Sequence, residues 1–359
     1  MSWLIYALGG GWGHLMRALA FGRIAALHRP VTILSNSPYT ANLLNYAAKE
    51  ALLPIVAGCY IQVISPAASF TQTCDRVRQI VSRMTYDCLI IDTFPRGLGG
   101  ELADILPKIK SIPRILVHRD INPNYVRAKD LQRFVAEYFN LIFIPGETGE
   151  LAFSQLPQVQ HTAPWLIRSA DELPTRSHAR TLLHLNLLKA VTSPASLTPL
   201  VLIYAAGRAE ELAFYGQLTQ ELVNSRSDIT VRCLSAHCPE HCPPELWVFH
   251  WPGIECLPAA NVVIGGAGYN TFYECMVVGI PLVAFAFERH YDRQGIRVKR
   301  WCEHQPLPPV RLVKSMEEAK LAVNEFLQLR PYQPPNLMNG AIAAVRFIED
   351  LPQRTGNWQ

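Results

Sequence analysis

Short runs of apolar, often β-branched residues recur along this chain, and most of them end in glycine or in polar residues. In the first half these runs cover 4–8, 31–34, 61–64, 88–91, 115–117 and 141–144. In the second half they cover 201–204, 230–234, 247–249, 261–264 and 282–287. Helical patterns lie at 15–27, 39–48, 182–188, 271–277, 315–329 and 338–350. Uninterrupted apolar strands that alternate with helices predict an α/β protein with two doubly wound parallel-sheet domains.

Prolines and polar residues between 164 and 199 predict the crossing between these domains. We expect a first Rossmann-like domain over 1–165, a linker over 166–198, and a second Rossmann-like domain over 199–335. A C-terminal helix and tail over 336–359 should return to the first domain. A chain of 359 residues is long enough to build two cores. Because ligands of such folds bind at the carboxyl ends of the strands, the two domains are expected to face each other across a cleft.

Composition and charge narrow the class of protein. Hydrophobic residues make up 49% of the chain and charged residues 17%, which is typical of a globular protein with large buried sheets. The net charge is +4, and all of it lies in residues 1–165, which carry 15 Lys+Arg against 11 Asp+Glu. Such a surplus arises by chance, or it marks a surface that meets lipid headgroups or an anionic acceptor. A surplus this small predicts no nucleic-acid partner.

The nine cysteines and the hydropathy pattern bear on location. The cysteine number is odd, no disulfide spacing repeats, and no signal peptide is present, so we expect a reducing cytoplasm. No eighteen apolar residues follow one another, so no transmembrane helix is predicted. Cys238, His241 and Cys242 have the chemistry of metal ligands, but they lack zinc-site spacing and lie among prolines. We interpret them as loop residues and expect no metal.

A glycine loop follows the first predicted strand. Residues 9–14 are Gly-Gly-Gly-Trp-Gly-His, and a helical pattern begins directly afterwards. This is not the dinucleotide fingerprint, because His14 stands where the third glycine would be. A histidine there lies at the carboxyl end of a parallel strand, where α/β proteins bind ligands. We interpret His14 as functional; the structural alternative is a histidine that caps the helix or packs on Trp12.

Charged residues follow two further predicted strands. Asp92 follows the run 88–91, and His118, Arg119 and Asp120 follow the run 115–117. Because the carboxyl ends of parallel strands meet at one edge of the sheet, these side chains are expected to lie near His14. Capping of the next helix is the alternative role for the two aspartates.

A second glycine turn follows the run 261–264. Residues 265–268 are Gly-Gly-Ala-Gly, and the helical pattern after them ends at Gly279. Within that helix, Thr271 and Glu274 have the spacing of a capping box. A glycine turn that leads into a helix N-terminus favours an anion, because amide N–H groups and the helix dipole point at it.

Together these motifs resemble those of GT-B glycosyltransferases of the MurG-like, family 28-type group. The family pairs a glycine loop ending in histidine with the pattern A-D-x-V-I-x-x-x-G-x-x-T-x-x-E, followed by G-x-P, D and Q. The second pattern is matched here by residues 260–264, Gly268, Thr271, Glu274, Gly279, Pro281, Asp292 and Gln294. Asn261 replaces the usual aspartate, and Ala206-Gly207-Arg208 replaces a serine-and-glutamine turn. The likeness spans most of the chain in order, with specific matches only at its two ends.

The resemblance implies that the C-terminal domain binds a nucleotide diphosphate sugar and that the N-terminal domain binds the acceptor. Gly266–Asn270 would hold the diphosphate, and Glu274 would accept hydrogen bonds from the ribose; a capping bond near Thr271 is its alternative role. Arg208 would add charge for the phosphates, and Asp292, Arg293 and Gln294 would reach the sugar. The implied donor-binding set is Gly11, Gly13, Gly207, Arg208, Gly266, Ala267, Gly268, Tyr269, Asn270, Thr271, Glu274, Asp292, Arg293 and Gln294.

The implied reaction is inverting transfer of a sugar from a UDP-sugar to an acceptor hydroxyl. His14 would be the general base, oriented by Asp92 or Asp120. No D-x-D triplet occurs, which argues against a metal-dependent GT-A enzyme; no cofactor is expected besides the nucleotide sugar as co-substrate. The apolar, mildly basic first half favours a lipid-linked acceptor and contact with the inner face of a membrane.

The sequence is also compatible with two other functions. The run 11–17, Gly-Trp-Gly-His-Leu-Met-Arg, also resembles that of nucleotide-sugar hydrolases on this fold, whose acceptor is water. A chain that kept the fold and lost the chemistry would be a nucleotide-sugar-binding protein. A nicotinamide enzyme is disfavoured, because neither glycine turn gives the dinucleotide fingerprint.

Overall fold

The structure, a computed structural model, describes residues 2–43, 58–185, 198–289, 291–304, 308–329 and 338–351. The chain divides into two compact units. The first consists of Met1–Ile167, His290–Arg293 and Asn339–Gln359, and the second of Arg168–Arg289 and Gln294–Met338. Each unit contains one sheet in which every neighbouring pair of strands is parallel. The predicted fold class, two parallel-sheet α/β domains, is therefore confirmed.

The first unit has a seven-stranded sheet with the order β3-β2-β1-β4-β5-β6-β7. Its strands are β1 Trp3–Tyr6, β2 Val31–Ser35, β3 Cys59–Val63, β4 Cys88–Asp92, β5 Arg114–Val117, β6 Leu141–Pro145 and β7 Val159–Thr162. Its helices are α1 Trp12–Ala25, α2 Phe70–Arg83, α3 Pro123–Ala128, α4 Leu131–Tyr138 and, numbered last along the chain, α10 Gly340–Glu349. The strand order reverses between β1 and β4, so the loops after these strands diverge and leave a crevice at their carboxyl ends.

The second unit has a six-stranded sheet with the order β10-β9-β8-β11-β12-β13. Its strands are β8 Leu200–Tyr204, β9 Thr230–Leu234, β10 Trp247–Val248, β11 Val262–Gly266, β12 Leu282–Phe285 and β13 Val310–Val313. Its helices are α5 Arg176–Leu182, α6 Ala209–Ser225, α7 Tyr269–Val278, α8 Gln294–His304 and α9 Met316–Leu327. Here the order reverses between β8 and β11, so the loop after β8 and the glycine turn after β11 flank the second crevice.

The unit boundaries differ from the predicted ones in two places. The second unit begins at Arg168, so it includes most of the predicted linker 166–198, where α5 packs against a 3₁₀ helix at Gly253–Ala259. Residues 186–197, which include part of the predicted helix 182–188, lie outside the described residues. In addition, Tyr291–Arg293 group with the first unit. A backbone bridge between Ile121 and Asp292 accounts for this grouping.

Two helices begin earlier than their apolar pattern suggested. Helix α1 begins at Trp12 rather than at Leu15, so Gly13 and His14 belong to its first turn. Helix α7 begins at Tyr269 with Gly268 as N-cap, so Thr271 and Glu274 lie inside the helix and form no capping box. Half of the helix predicted at 39–48, residues 44–48, lies outside the described residues. Periodicity misses such first turns because glycine, histidine and asparagine interrupt the apolar stripe there.

Helix α10 returns to the first unit, as the sequence predicted. Its N-cap Asn339 accepts the amide N–H of Leu166 at 3.2 Å and donates to the Leu166 carbonyl at 2.6 Å. At Gly340 the two backbones approach so closely that a Cβ would lie 1.8 Å from the carbonyl oxygen of Ala163. Only glycine fits this contact without backbone movement.

We therefore expect Gly340→Ala to lower the free energy of unfolding of the first unit by about 1–3 kcal/mol, the usual cost of overpacking. Urea denaturation measures this value. Gly295→Ala is the matched control, because its Cβ would meet only Ala286 Cβ at 3.8 Å near the start of α8. The control should be neutral or stabilising. Equal stability of the two variants would contradict the close approach.

Candidate active-site residues

The crevice of the first unit contains a histidine, an aspartate and an arginine in direct contact. His14 Nδ1 lies 2.6 Å from Asp92 Oδ2. Arg17 donates to both oxygens of the same carboxylate, from Nε to Oδ1 at 2.9 Å and from Nη2 to Oδ2 at 2.7 Å. His14 and Arg17 are three residues apart on α1 and therefore share one face of the helix. Asp92 is the last residue of β4, which brings its carboxylate to that face.

Burial and charge set the protonation states of this cluster. Burial alone would raise the pKa of Asp92, but Arg17 and His14 outweigh it and hold the pKa well below its usual range. Burial lowers the pKa of His14 from 6.5, although Asp92 opposes the shift. At neutral pH the ring is therefore uncharged, Nδ1–H donates to the ionised Asp92, and the lone pair of Nε2 is the basic site. Ring and carboxylate thus have the relation of a general base and its orienting group.

The loop around His14 is shaped by backbone positions that few residues could occupy. Gly9 has φ +154°, and a Cβ there would lie 2.2 Å from His14 Cδ2, so the imidazole rests directly on the glycine backbone. The ring also stacks on Phe94, with centroids 5.4 Å apart. Thr93, which lies between Asp92 and Phe94, has φ +72°, a conformation that costs a non-glycine residue about 1–3 kcal/mol. The predicted donor residues Gly11 and Gly13 border open space, where a Cβ would meet nothing within 4 Å.

Asp120, the alternative orienting group, lies in a different pairing. It accepts hydrogen bonds from the Arg293 guanidinium, with Nε at 3.0 Å. Arg119 donates from Nε to Thr93 Oγ1 at 3.3 Å and lies 4.0 Å from Asp292. Asp292 and Arg293, which the resemblance predicted to reach the sugar, thus lie among residues of the first unit. Asp92 is the aspartate that contacts His14.

His118 makes no hydrogen bond to the residues of this cluster. It is fully buried, its ring lies 4.4 Å from that of Phe153, and neither ring nitrogen has a hydrogen-bond partner among the described residues. Burial, reinforced by the charge of Arg119, lowers its pKa to about 3. His118 is thus a neutral core residue at neutral pH rather than a group aimed at a ligand.

The glycine turn of the second unit forms an uncapped helix N-terminus. Gly266 ends β11, Gly268 is the N-cap of α7, and no side chain caps the helix. The buried Arg297 donates from Nη1 to the carbonyl of Ala267 at 3.0 Å, which fixes the turn from behind. Gln294 Nε2 lies 3.7 Å from the point where a Cβ on Gly268 would be. Tyr269, Asn270 and Thr271 form the first helical turn, whose amides have no intrahelical acceptor.

Glu274 lies one turn further into α7 and is buried. Its side chain receives a hydrogen bond from Tyr204, at the end of β8, and Oε2 has no partner among the described residues. Burial raises the pKa of Glu274 to about 7, although the Tyr204 bond opposes the shift. The buried oxygen is one acceptor for a ligand hydroxyl; keeping it unpartnered costs stability.

The loop after β8 contains the other predicted donor residues. Gly207 has φ +145°, and a Cβ there would collide with the Glu211 carboxylate at 1.9 Å. Arg208 is the N-cap of α6, and its amide N–H donates to Glu211 Oε2 at 3.2 Å. Glu211 in turn accepts two hydrogen bonds from Arg289, at 2.5 and 2.6 Å. The predicted phosphate loop therefore already holds a carboxylate of its own chain.

Several of these contacts were missed at the sequence level. Arg17 could have been found by its i,i+3 spacing from His14, had the helix been started at Trp12. Glu211 has the same spacing from Arg208. The Arg289 contact joins residues 78 positions apart, and no local signal predicts it. The Glu101 carboxylate, which accepts the amides of Leu98 and Gly99 and so fixes the loop after β4, was also missed.

Neither a metal centre nor a membrane-spanning helix is found in the segments that the structure describes. There, no three His, Cys, Asp or Glu side chains are grouped as metal ligands. Cys242 is buried and Cys238 exposed, and both thiols donate to backbone carbonyls of their own loop. None of the helices that the structure describes has both the length and the apolar character needed to cross a bilayer.

No known family model and no curated protein sequence matches this chain. Solved structures do match it over almost their full length. The glycotransferase of kitacinnamycin has a TM-score of 0.59 at 14% identity, covering 97% of this chain and 98% of its own. A UDP-glucosyltransferase from Polygonum tinctorium has a TM-score of 0.58 at 11% identity, covering 99% and 94%. UDP-GlcNAc 2-epimerase from Neisseria meningitidis has a TM-score of 0.57 at 13% identity, covering 99% and 100%.

At these identities the likeness establishes the fold, which is the GT-B architecture of two parallel-sheet domains. Because an epimerase shares it with glycosyltransferases, the fold alone does not select a reaction. The reaction depends on the side chains that a chain places on this fold.

The raised pKa of Glu274 predicts a pH-dependent stability. Between pH 4.5 and about 7 the folded carboxyl keeps its proton while the unfolded one loses it. Its contribution to the free energy of unfolding should therefore fall, as pH rises, by about 1.4 kcal/mol for each unit in this window. Urea denaturation at several pH values should show that Glu274→Gln removes this slope. The control Glu240→Gln, at a side chain 75% exposed, should keep it. An unchanged slope in Glu274→Gln would show that the carboxyl is not protonated in the folded state.

Proposed function

We propose that this protein is a glycosyltransferase that moves a sugar from a UDP-sugar to an acceptor hydroxyl with inversion at the anomeric carbon. The observation that supports this most strongly is the neutral imidazole of His14, held by the ionised Asp92 at 2.6 Å in the crevice of a parallel sheet. Such a pair takes a proton from an alcohol at neutral pH. The reaction also requires a site for the diphosphate, and we place that site at the glycine turn after β11.

The proton and electron movements follow from this arrangement. His14 Nε2 accepts the proton of the acceptor hydroxyl as its oxygen bonds to the anomeric carbon. The bond between that carbon and the diphosphate oxygen breaks, and the electron pair leaves with the nucleoside diphosphate. Asp92 stabilises the imidazolium that forms, and it is kept ionised by the fork of Arg17. The positive end of α7 favours the departing anion without a proton transfer.

The donor is proposed to bind through backbone and carboxylate groups of the second unit. The glycine turn that begins at Gly266 leads into the first turn of α7, where the amides of Tyr269, Asn270 and Thr271 have no intrahelical acceptor and would face the diphosphate. Glu274 has a buried oxygen without a partner among the described residues, which a ribose hydroxyl would satisfy. Support for uridine comes from the UDP-glucosyltransferase and the UDP-GlcNAc epimerase that share the fold. Gly207 and Arg208 complete the proposed phosphate loops.

The finer assignment rests on motifs and charge. Within this proposal the MurG-like type is supported by the spacing from Gly268 to Gln294, and a lipid-linked acceptor by the positive surplus of residues 1–165. Such an acceptor would bring the protein to the inner face of a membrane as a peripheral, cytoplasmic enzyme. Binding to vesicles of anionic lipid at low salt tests this point, and absence of binding there would remove it.

His14→Ala should reduce kcat for sugar transfer by about 10²- to 10⁴-fold, the usual contribution of a general base. The dissociation constant of UDP should stay unchanged, because the ring belongs to the first unit. In the wild type, activity should persist below pH 6.5 before it declines, since burial lowers the pKa of His14. UDP release with a panel of acceptor alcohols, including lipid-linked sugars, measures kcat and its pH dependence, and calorimetry measures the dissociation constant of UDP. His161→Ala is the control, because its side chain is exposed on the edge strand β7.

The same assay separates the alternatives. Rapid UDP release without any acceptor would favour a hydrolase, and tight UDP binding without turnover of any acceptor would favour a binding protein. Full transfer activity of His14→Ala would refute the base assignment.

A further inference from the structure

An ion pair on the second unit joins two loops of the same sheet rim. Glu211 lies in the first turn of α6, just after β8, and Arg289 follows β12. The sheet order is β8-β11-β12, so β11 and its glycine turn lie between the two loops. The side chains meet in a two-pronged contact, Nη1 to Oε1 at 2.5 Å and Nη2 to Oε2 at 2.6 Å. The pair therefore spans the end of the strand that carries the glycine turn.

The contacts of the Glu211 carboxylate are those that a phosphate group would make. Its oxygens accept the fork of Arg289 and the backbone amide of Arg208, the N-cap residue that precedes α6. Its Oε2 occupies the space beside Gly207 that any Cβ would fill. An arginine fork, a helix N-terminal amide and a bare glycine are the groups with which proteins bind phosphate. Arg289 keeps 24% of its side chain exposed, so a ligand can reach it.

A second, independent observation points to a ligand at the same place. Tyr215, one turn after Glu211 on α6, is fully buried, and its hydroxyl has no hydrogen-bond partner among the described residues. The hydroxyl lies 3.7 Å from the point where a Cβ on Gly266 would be, at the start of the glycine turn. Val262 and Ile264 face the core cluster that contains Tyr215, and the two-residue alternation of β11 puts Gly266 on that face too. Burial and the charge of Glu211 raise the pKa of Tyr215, so the group is a donor.

We propose that Arg289 and Tyr215 bind the diphosphate of the donor, and that Glu211 occupies this phosphate position until the donor arrives. This proposal rests on the proposed function and adds two binding residues and one internal competitor to it. On binding, the Arg289 fork transfers from the carboxylate to phosphate oxygens, and the Tyr215 hydroxyl gains an acceptor. No covalent bond changes.

The loop after β8 is poor in groups that could hold a phosphate. Residues 206–208 are Ala-Gly-Arg and leave no side-chain donor except that of Arg208. Under the proposal, two other residues donate hydrogen bonds to the phosphate. Arg289 does so from the loop after β12, and Tyr215 from beneath the glycine turn after β11. The internal carboxylate also keeps the guanidinium paired while no phosphate is bound, which avoids the cost of an uncompensated cation.

The test is calorimetric titration of the full-length protein and three variants with UDP, uridine and inorganic pyrophosphate. Arg289→Gln should weaken UDP binding about tenfold or more, since charge-assisted hydrogen bonds are lost, and should leave uridine binding unchanged. Glu211→Gln should tighten UDP and pyrophosphate binding about threefold or more, because the competing charge is gone. The two variants should therefore change the affinity for UDP in opposite directions. If the ion pair were only structural, both variants would instead lower the Tm and leave the affinity for UDP unchanged.

Tyr215→Phe separates binding from folding. It should weaken UDP and pyrophosphate binding about fivefold without lowering the Tm, because the removed hydroxyl has no partner in the unliganded protein. Tyr86→Phe is the matched control: its hydroxyl donates to the Val81 carbonyl at 2.8 Å, so the Tm should fall and UDP binding should stay. Arg311→Gln, which breaks the exposed pair with Glu325, controls for loss of a cation.

The outcomes separate this inference from the proposed function. If the wild type binds UDP and all three variants bind it equally well, the inference is overturned and the proposed donor stands. If the wild type binds pyrophosphate with the expected variant effects but no nucleoside diphosphate, the proposed donor is overturned and the phosphate position stands. Binding of neither probe would overturn both.

Discussion

The buried carboxylate of Asp92 is the group on which the arrangement of His14 and Arg17 in the first unit depends. Burial would protonate it, but the two-pronged contact with Arg17 and the bond to His14 keep it ionised at the end of β4. Breaking such a buried pair leaves an uncompensated charge and is strongly destabilising. The rest of the first crevice fits around it. Gly9 lets the imidazole lie flat on the backbone, and the strained Thr93 turns the chain away directly after the aspartate.

In the second unit the corresponding charged contact is the ion pair between Glu211 and Arg289. Under the proposed function its crevice accepts an anion, and there Glu211 pairs with Arg289 and accepts the amide N–H of Arg208, in the position that we propose for a phosphate. Glu274 and Tyr215 are buried with polar atoms that have no partner among the described residues. Both atoms cost stability in the unliganded protein and gain partners from a nucleotide sugar under the proposed function. Unsatisfied groups of this kind concentrate at functional sites, where binding offsets their cost.

Much of the fold and part of the site could be predicted from the sequence. Apolar runs and glycine turns predicted two parallel sheets, because buried strands leave a continuous apolar signal. The neighbourhood of His14 and Asp92 followed from strand ends meeting at one rim. What could not be predicted depends on side-chain direction and distant contacts. Which of Asp92 and Asp120 contacts His14, why Arg293 pairs with Asp120, and how Arg289 reaches Glu211 are decided by tertiary packing, not by spacing along the chain. The first turns of α1 and α7 were missed because their residues carry no apolar period.

The central claim is that His14 is a neutral base whose Nδ1 proton is held by Asp92. The most direct measurement is nitrogen NMR of the imidazole in protein labelled with ¹⁵N-histidine, with His14 assigned by comparison with the His14→Ala variant. At pH 7 the account predicts a protonated Nδ1, an unprotonated Nε2, and a titration midpoint below 6.5. A proton on Nε2 instead, or a ring already charged at pH 7, would contradict it.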